Sequence, residues 1–346
     1  VMRNERSVRT VLTVAAVAAS IPILLGVRAV VDRATLLEAA QESTSMSDRA
    51  KFVGTYRLIT TEIKDTNSGE WSETPNFNRI GYITYADTGH MGVHIMPRSR
   101  LPFSSDPPTG AEVQVALQGY TAYFGSFTVD DQQQFVEHQR FGHINQGGIV
   151  DVKRFYDFEG DRLILTPAPA DGGGKSTATL RLVWERLPNA PLSAEEKKFV
   201  GFHRLLYTDR YREKDGEQIF HGQRNEERAG TSYIIYTPTG HMMVHLMHKE
   251  GRTKYAGVRA TPDEALKAFQ TYGGYFGRFT TYENYEPRFV MHNQQGSLRP
   301  ARDVDATKRF YQFTGNVLRL GGPPRLNEAG EMAGGHLYWE KQGPIN

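Results

Sequence analysis

The chain carries nearly the same message twice. Phe52-Val53-Gly54 returns as Phe199-Val200-Gly201. Tyr82-Ile83-Thr84-Tyr85, followed by Thr88-Gly89-His90-Met91, returns as Tyr233-Ile234-Ile235-Tyr236, followed by Thr239-Gly240-His241-Met242. Tyr123-Phe124-Gly125 returns as Tyr275-Phe276-Gly277, and Val136-Glu137-His138 as Val290-Met291-His292. Lys153-Arg154-Phe155-Tyr156 returns as Lys308-Arg309-Phe310-Tyr311, and Trp184-Glu185 as Trp339-Glu340. The order never breaks, and only loop lengths differ. A duplicated unit of roughly 140 residues is too long for a solenoid repeat, so each copy is expected to own a core.

Two such units, 48–188 and 192–344, with a leading segment 1–47, account for the 346 residues. The 41 basic and 39 acidic residues nearly cancel, which argues against nucleic acid as a partner. With no cysteine, a disulfide framework, a thiol nucleophile and a zinc–thiolate site are all excluded. In the leading segment, Arg3, Arg6 and Arg9 precede an uncharged run over 10–27. A positive head before an apolar stretch of about 18 residues reads as an N-terminal apolar helix, serving as a secretory signal or a membrane anchor. The protein is then periplasmic or membrane-anchored, and meets a membrane only through this segment. Translation from Met46 would instead make it cytoplasmic.

Both copies read as strands. Residues 80–86 and 90–96 alternate around Asp87-Thr88-Gly89, as in a hairpin whose glycine supplies positive φ. Met91, Val93 and Ile95 share the apolar, inward parity; His90, Gly92 and His94 share the other. The second copy divides in the same way. Gly160-Asp161 and Gly315-Asn316 are further hairpin signals. Thr261-Pro262-Asp263-Glu264 caps a helix, with a weaker counterpart over 111–118, so one such helix per repeat is expected. Ser193-Ala194-Glu195-Glu196 can cap a brief helix in the linker. Many short strands, few helices and no room for βαβ crossovers predict an all-β chain of two closed antiparallel barrels.

The pattern Gly-x-aromatic, Tyr-x-x-x-Gly-x-Met, Ala-Tyr-x-Gly-x-aromatic, Val-x-His, Arg and Leu-x-Trp-Glu-Arg resembles the lipocalin-like domain family of bacteria and fungi. It stands here as Gly54-Thr55-Tyr56, Tyr85 to Met91, Ala122 to Phe127, Val136 to His138, Arg154, and Leu182 to Arg186. It stands again from Gly201 to Lys341. The resemblance covers about 48–342 and implies two tandem lipocalin-like barrels. It also implies that barrels of this kind serve either as binders of small hydrophobic molecules or as enzymes. The departures, Tyr56 and His203 where Trp is usual, predict unequal barrel floors and one larger cavity.

Parity turns Tyr123, His138, Arg154 and Tyr156 inward, mirrored by Tyr275, His292, Arg309 and Tyr311. Such a set could bind and polarise a carbonyl, or move a proton with His138 or His292 as acid and base. In barrels of this type an inward arginine also packs across the first-strand aromatic and closes one end, so a structural role stands beside these. His94 and His245 are further candidates for ligand contact if the copies pack together. Histidines four apart on a strand lie about 13 Å apart, too far to share an ion, so no metal is expected. No cofactor is expected either: Gly172-Gly173-Gly174-Lys175-Ser176 lacks phosphate-loop spacing and reads as a hairpin tip. Three readings remain open: binding of a small hydrophobic or aromatic metabolite, a lyase or isomerase such as a hydratase or cyclase, and an envelope scaffold. Oligomeric state is not legible.

Overall fold

The structure, a computed structural model, describes residues 48–146, 151–169, 174–214, 216–220, 226–257, 259–300 and 305–345. The apolar run over 10–27 lies outside the described residues, as do Gly172 and Gly173 of the glycine-rich stretch. Among those described, no helix is long and apolar enough to cross a membrane.

The first repeat opens with a one-turn helix, α1 (Asp48–Phe52), and then β1 (Gly54–Lys64), β2 (Trp71–Glu73), β3 (Arg79–Tyr85) and β4 (His90–Pro97). Helix α2 (Gly110–Leu117) leads into β5 (Thr121–Asp130), β6 (Phe135–His143), β7 (Asp151–Glu159), β8 (Arg162–Pro167) and β9 (Leu180–Arg186). Strands β1 and β3 to β9 pair in order, and β9 returns to β1 to close an eight-stranded antiparallel barrel. The second repeat has α3 (Ala194–Phe199), β10 (Gly201–Lys214), β11 (Glu217–Phe220), β12 (Tyr233–Tyr236) and β13 (His241–Met247). It continues with α4 (Pro262–Gln270), β14 (Tyr272–Tyr282), β15 (Phe289–Ser297), β16 (Ala306–Thr314), β17 (Val317–Gly321), β18 (Arg325–Leu326) and β19 (Met332–Lys341). Here β19 closes on β10. Among the described residues closure pairs all eight barrel strands of each repeat on both sides, and only the short β2, β11 and β18 keep a free edge.

Each barrel is stoppered at one end by its opening helix, so among the described residues each repeat has two α-helices; the brief linker helix expected at Ser193 is the second stopper, and α1 is the one the sequence did not suggest. Phe52 is fully buried among Tyr85, Phe127, Tyr156 and Phe158, with ring centroids 5.0–6.3 Å away. Phe199 does the same among Tyr236, Phe279, Tyr311 and Phe313. Gly54 and Gly201 follow with φ of +154° and +142°, the turn that lets the chain leave the stopper and enter the first strand. Tyr156 donates a hydrogen bond to Asp48 Oδ2 (2.7 Å), pinning α1 from the barrel wall.

The barrels meet through the outer faces of β3–β5 and β12–β14, which share one apolar core containing Tyr82, Phe124, Tyr233, Met243 and Phe276. Contacts come in exchanged pairs. Tyr82 faces His241, and His90 faces Tyr233. Arg100 donates to the carbonyls of Ser297 and Leu298, while Arg252 donates to those of His143 and Ile144. Reciprocity of this kind is the mark of an isologous interface, built here inside one chain. At its centre His94 and His245 stack with ring centroids 4.2 Å apart and planes 19° from parallel. Parity put both histidines on the outward face, and the second barrel buries that face.

Candidate functional site

The inward residues of β5, β6 and β3 converge inside the first barrel. His138 is fully buried, and both its ring nitrogens are taken by phenols. Tyr85 Oη lies 2.8 Å from Nε2, and Tyr123 Oη lies 2.9 Å from Nδ1. The second barrel repeats this. Tyr236 Oη is 2.8 Å from His292 Nε2, and Tyr275 Oη is 2.8 Å from Nδ1. Tyr85 and Tyr236 were missed in the sequence as partners of the histidines. Their signal was the repeated Tyr-x-x-x-Gly-x-Met, with tyrosine sharing the parity of Ile83 and Ile234.

Burial decides the charge states. The His292 imidazole is pushed down to about 3 by burial, with Arg309 adding to the shift. His138 is held well below its ordinary range by burial, then by Arg154 and Arg140. Burial raises the phenols of Tyr123 and Tyr275, against the opposing pull of Arg154 and Arg309. At neutral pH each cluster is therefore a neutral Tyr–His–Tyr relay beside a guanidinium. A neutral imidazole has one N–H and one free nitrogen, so in each relay one phenol donates to the ring and the ring donates to the other phenol.

A bulge in β6 and in β15, with Phe141 and Gln295 as the extra residues, faces a glycine of β5 and of β14 just beyond the relay tyrosines. Between Phe124 and Gly125 the register with β6 shifts, and the same shift occurs between Phe276 and Gly277. A Cβ on Gly125 or Gly277 would strike the facing carbonyl of Gln139 or Asn293. Directly across the bulge the copies differ: Arg140 pairs with Gly125, and Gln294 pairs with Gly277. The Arg140 guanidinium lies over the Tyr123 ring, 5.6 Å from its centroid. Gln294 turns to Thr307 Oγ1 instead, at 2.8 Å.

Where Gln294 turns away, the second barrel is hollow. A cavity of about 720 Å³ opens opposite the Phe199 stopper, lined by Leu246, Leu266, Phe269, Tyr275, Gln294 and Arg309, among others. Tyr275 is half-buried, whereas Tyr123 is buried. The inequality between copies thus lies at the barrel mouth, not at the floor where Tyr56 and His203 stand. The floor difference is compensated locally. Arg186 lies 4.8 Å over the Tyr56 ring and donates to the Val53 carbonyl, and His203 Nε2 donates to the Phe199 carbonyl.

The other residues singled out by sequence fall in three places. Arg154 and Arg309 point inward but are only half-buried, because they sit toward the mouth; each donates to the carbonyl of the preceding lysine. The arginine that covers a first-strand aromatic is Arg186. Tyr156 and Tyr311 pack on the stoppers, away from the cavity. His94 and His245 lie between the barrels, their Nδ1 atoms held by the hydroxyls of Tyr120 (3.1 Å) and Tyr272 (2.7 Å). His292 does not line the cavity, because Tyr275 and Arg309 lie over it. Among the described residues no cluster of three or more histidines and carboxylates could hold a metal ion.

A closed barrel, stoppered at one end and hollow at the other, is the architecture of a binding protein. The lipocalin-like domain model matches residues 53–187 and again 202–342, and the chain belongs to that family as two tandem copies. Among solved structures it is similar to a protein of unknown function from Nostoc punctiforme, of the DUF3598 family, at 10% identity and a TM-score of 0.20. That likeness spans 86% of this chain and 99% of the other. No curated protein matches the chain.

Proposed function

We propose that the protein binds a small, largely apolar molecule in the second barrel, with the first barrel serving as its structural partner. The observation that carries this reading is the 720 Å³ cavity at the mouth of barrel 2, at the one inward position where Arg140 is replaced by Gln294. Leu246, Leu266 and Phe269 supply apolar wall, and Tyr275 and Arg309 belong to a larger set of polar groups that line the rest. A few convergent polar groups in an apolar pocket orient a ligand while the walls supply affinity. The test is ligand-induced thermal stabilisation across terpenoid, fatty-acyl and phenolic compounds, with Leu246→Trp as the filled-cavity control. Stabilisation of the parent chain that vanishes in Leu246→Trp is the expected result. No stabilisation by any compound would leave the scaffold reading standing.

A second reading adds chemistry in the same pocket, as in a hydratase or cyclase. It is favoured by the relay behind Tyr275, since a phenol that lines the cavity beside Arg309 and is hydrogen-bonded to His292 could exchange a proton with it. His292, neutral and covered, would pass a proton rather than donate one as imidazolium. Tyr275→Phe would then retain binding and lose turnover.

A further inference from the structure

The described lining of the barrel-2 cavity contains five cationic side chains, Arg228, Arg299, Lys308, Arg309 and Arg325, and one acid, Asp305. Three of the cations are accounted for. Arg299 pairs with Asp106 at 3.2 Å and lies over the Phe269 ring. Lys308 reaches the outer face, with Nζ 4.1 Å from the centroid of Phe289. Arg325 is exposed. Asp305 is already engaged.

Arg309 and Arg228 remain, and among the described residues neither has a carboxylate partner. Arg309 donates to the Lys308 carbonyl. Arg228 is half-buried and its Nε is shielded from solvent with no acceptor. The adjacent carboxylate, Glu227, is paired with His248 instead. Burial holds the Arg228 guanidinium below its ordinary range, against the weaker pull of Glu227, the sign of a cation short of counter-charge. Partly desolvated guanidinium groups gain most from an anion that accepts two parallel N–H bonds.

We infer that the molecule held in barrel 2 carries a carboxylate on an apolar body, with the carboxylate set against Arg309 and Arg228 and the body along Leu246, Leu266 and Phe269. This rests on the binding reading and narrows its ligand class. Arg309 lines the cavity together with Tyr275, whose hydroxyl is held by His292.

The experiment is calorimetric titration of the full chain with matched pairs: decanoate against 1-decanol, and 2-naphthoate against 2-naphthalenemethanol. It is done at pH 7.5 in low salt and repeated with Arg309→Gln and Arg228→Gln. At least one acid should bind tenfold or more tightly than its alcohol. The preference should collapse in Arg309→Gln and shrink in Arg228→Gln. Should Arg309→Gln fail to fold, Arg228→Gln alone decides. Equal binding of acid and alcohol overturns the carboxylate assignment and leaves the cavity reading intact. An acid preference undiminished in the variants places the anion elsewhere and overturns it too. Binding of none of the four, with Leu246→Trp indistinguishable from the parent chain against the wider panel, overturns both.

Discussion

The stacked pair at the barrel interface should make the two-barrel unit acid-sensitive, and one substitution isolates its share. The rings of His94 and His245 are fully buried, 4.2 Å apart, and bonded through Nδ1 to Tyr120 and Tyr272. On the tyrosines that hold them, the guanidinium groups of Arg100 and Arg252 lie 5.3 and 5.4 Å from the Tyr120 and Tyr272 ring centroids. Burial pushes His94 down to about 3, against the weaker opposing pull of the Val244 carbonyl. In the unfolded chain the same imidazole titrates near 6.5. Between these values the unfolded state binds the proton and the folded state refuses it, so stability is complete above about 6.5 and falls as the pH drops. Each pH unit below 6.5 costs about 1.4 kcal/mol for one histidine, hence about 2 kcal/mol at pH 5.

His94→Asn removes the titration while leaving an acceptor for Tyr120. At pH 7.5 the variant should be less stable by about 2 kcal/mol, since a buried ring is replaced by a smaller group. By pH 5 that deficit should have closed, because only the parent chain carries the His94 proton penalty. If removing His94 lets His245 accept a proton more easily, the variant's profile flattens further in the same direction. The assay is urea unfolding at pH 7.5, 6.5, 5.5 and 5.0, followed by near- and far-ultraviolet circular dichroism. The other buried histidines contribute equally to both chains and cancel in the difference. A gap between parent and variant that stays constant from pH 7.5 to 5 would refute the linkage.

Phe199→Ala should lower stability by about 3–5 kcal/mol, read as a fall in the unfolding midpoint, because the stopper ring contacts four aromatics and leaves a void that they cannot fill; a cost under about 1 kcal/mol would deny it that role. Gln294→Arg should close barrel 2 as Arg140 closes barrel 1, abolishing ligand-induced stabilisation at little cost to the melting temperature of the free protein, whereas Arg140→Gln should add a second binding site countable by calorimetric stoichiometry. Tyr236→Phe leaves one nitrogen of His292 unpaired and should cost about 1–3 kcal/mol in denaturant unfolding without changing ligand preference.

The sequence showed the frame well because the frame is local or repeated. The capping boxes at Thr261 and Ser193 are read within four residues, and both form as expected. The inward parity of Met91, Val93 and Ile95 follows from strand alternation alone, and all three are buried in the first barrel. The relay was half legible. His138 and Tyr123 sit on adjacent strands within one hairpin, but Tyr85 arrives from β3, and only closure of the barrel brings it to Nε2. The first stopper was hidden for another reason. Phe52-Val53-Gly54 was visible as a repeat, but a one-turn helix carries no periodicity to separate it from the start of a strand. The cavity depended on Arg140 against Gln294, at positions where the repeat breaks and a search for likeness does not look.

The two copies divide the work along those breaks. What recurs is what the barrel needs: the stoppers Phe52 and Phe199, the bulge glycines Gly125 and Gly277, the Tyr–His–Tyr relays, and the buried indoles of Trp184 and Trp339. Recurrence of the relay therefore argues for a structural duty in both barrels, since a buried neutral histidine with both nitrogens bonded ties three strands together at little electrostatic cost. What differs is what a ligand would meet. Arg140 becomes Gln294 across the bulge. Asn145, beside α2, becomes Arg299 beside α4, where the groove along the helix joins the barrel mouth into one cavity. A duplicated chain whose core must keep the same bonds twice has freedom to specialise only where its side chains face open space. In this chain that space is the mouth of the second barrel, and the polar floor beneath it is the shared relay, left accessible through Tyr275.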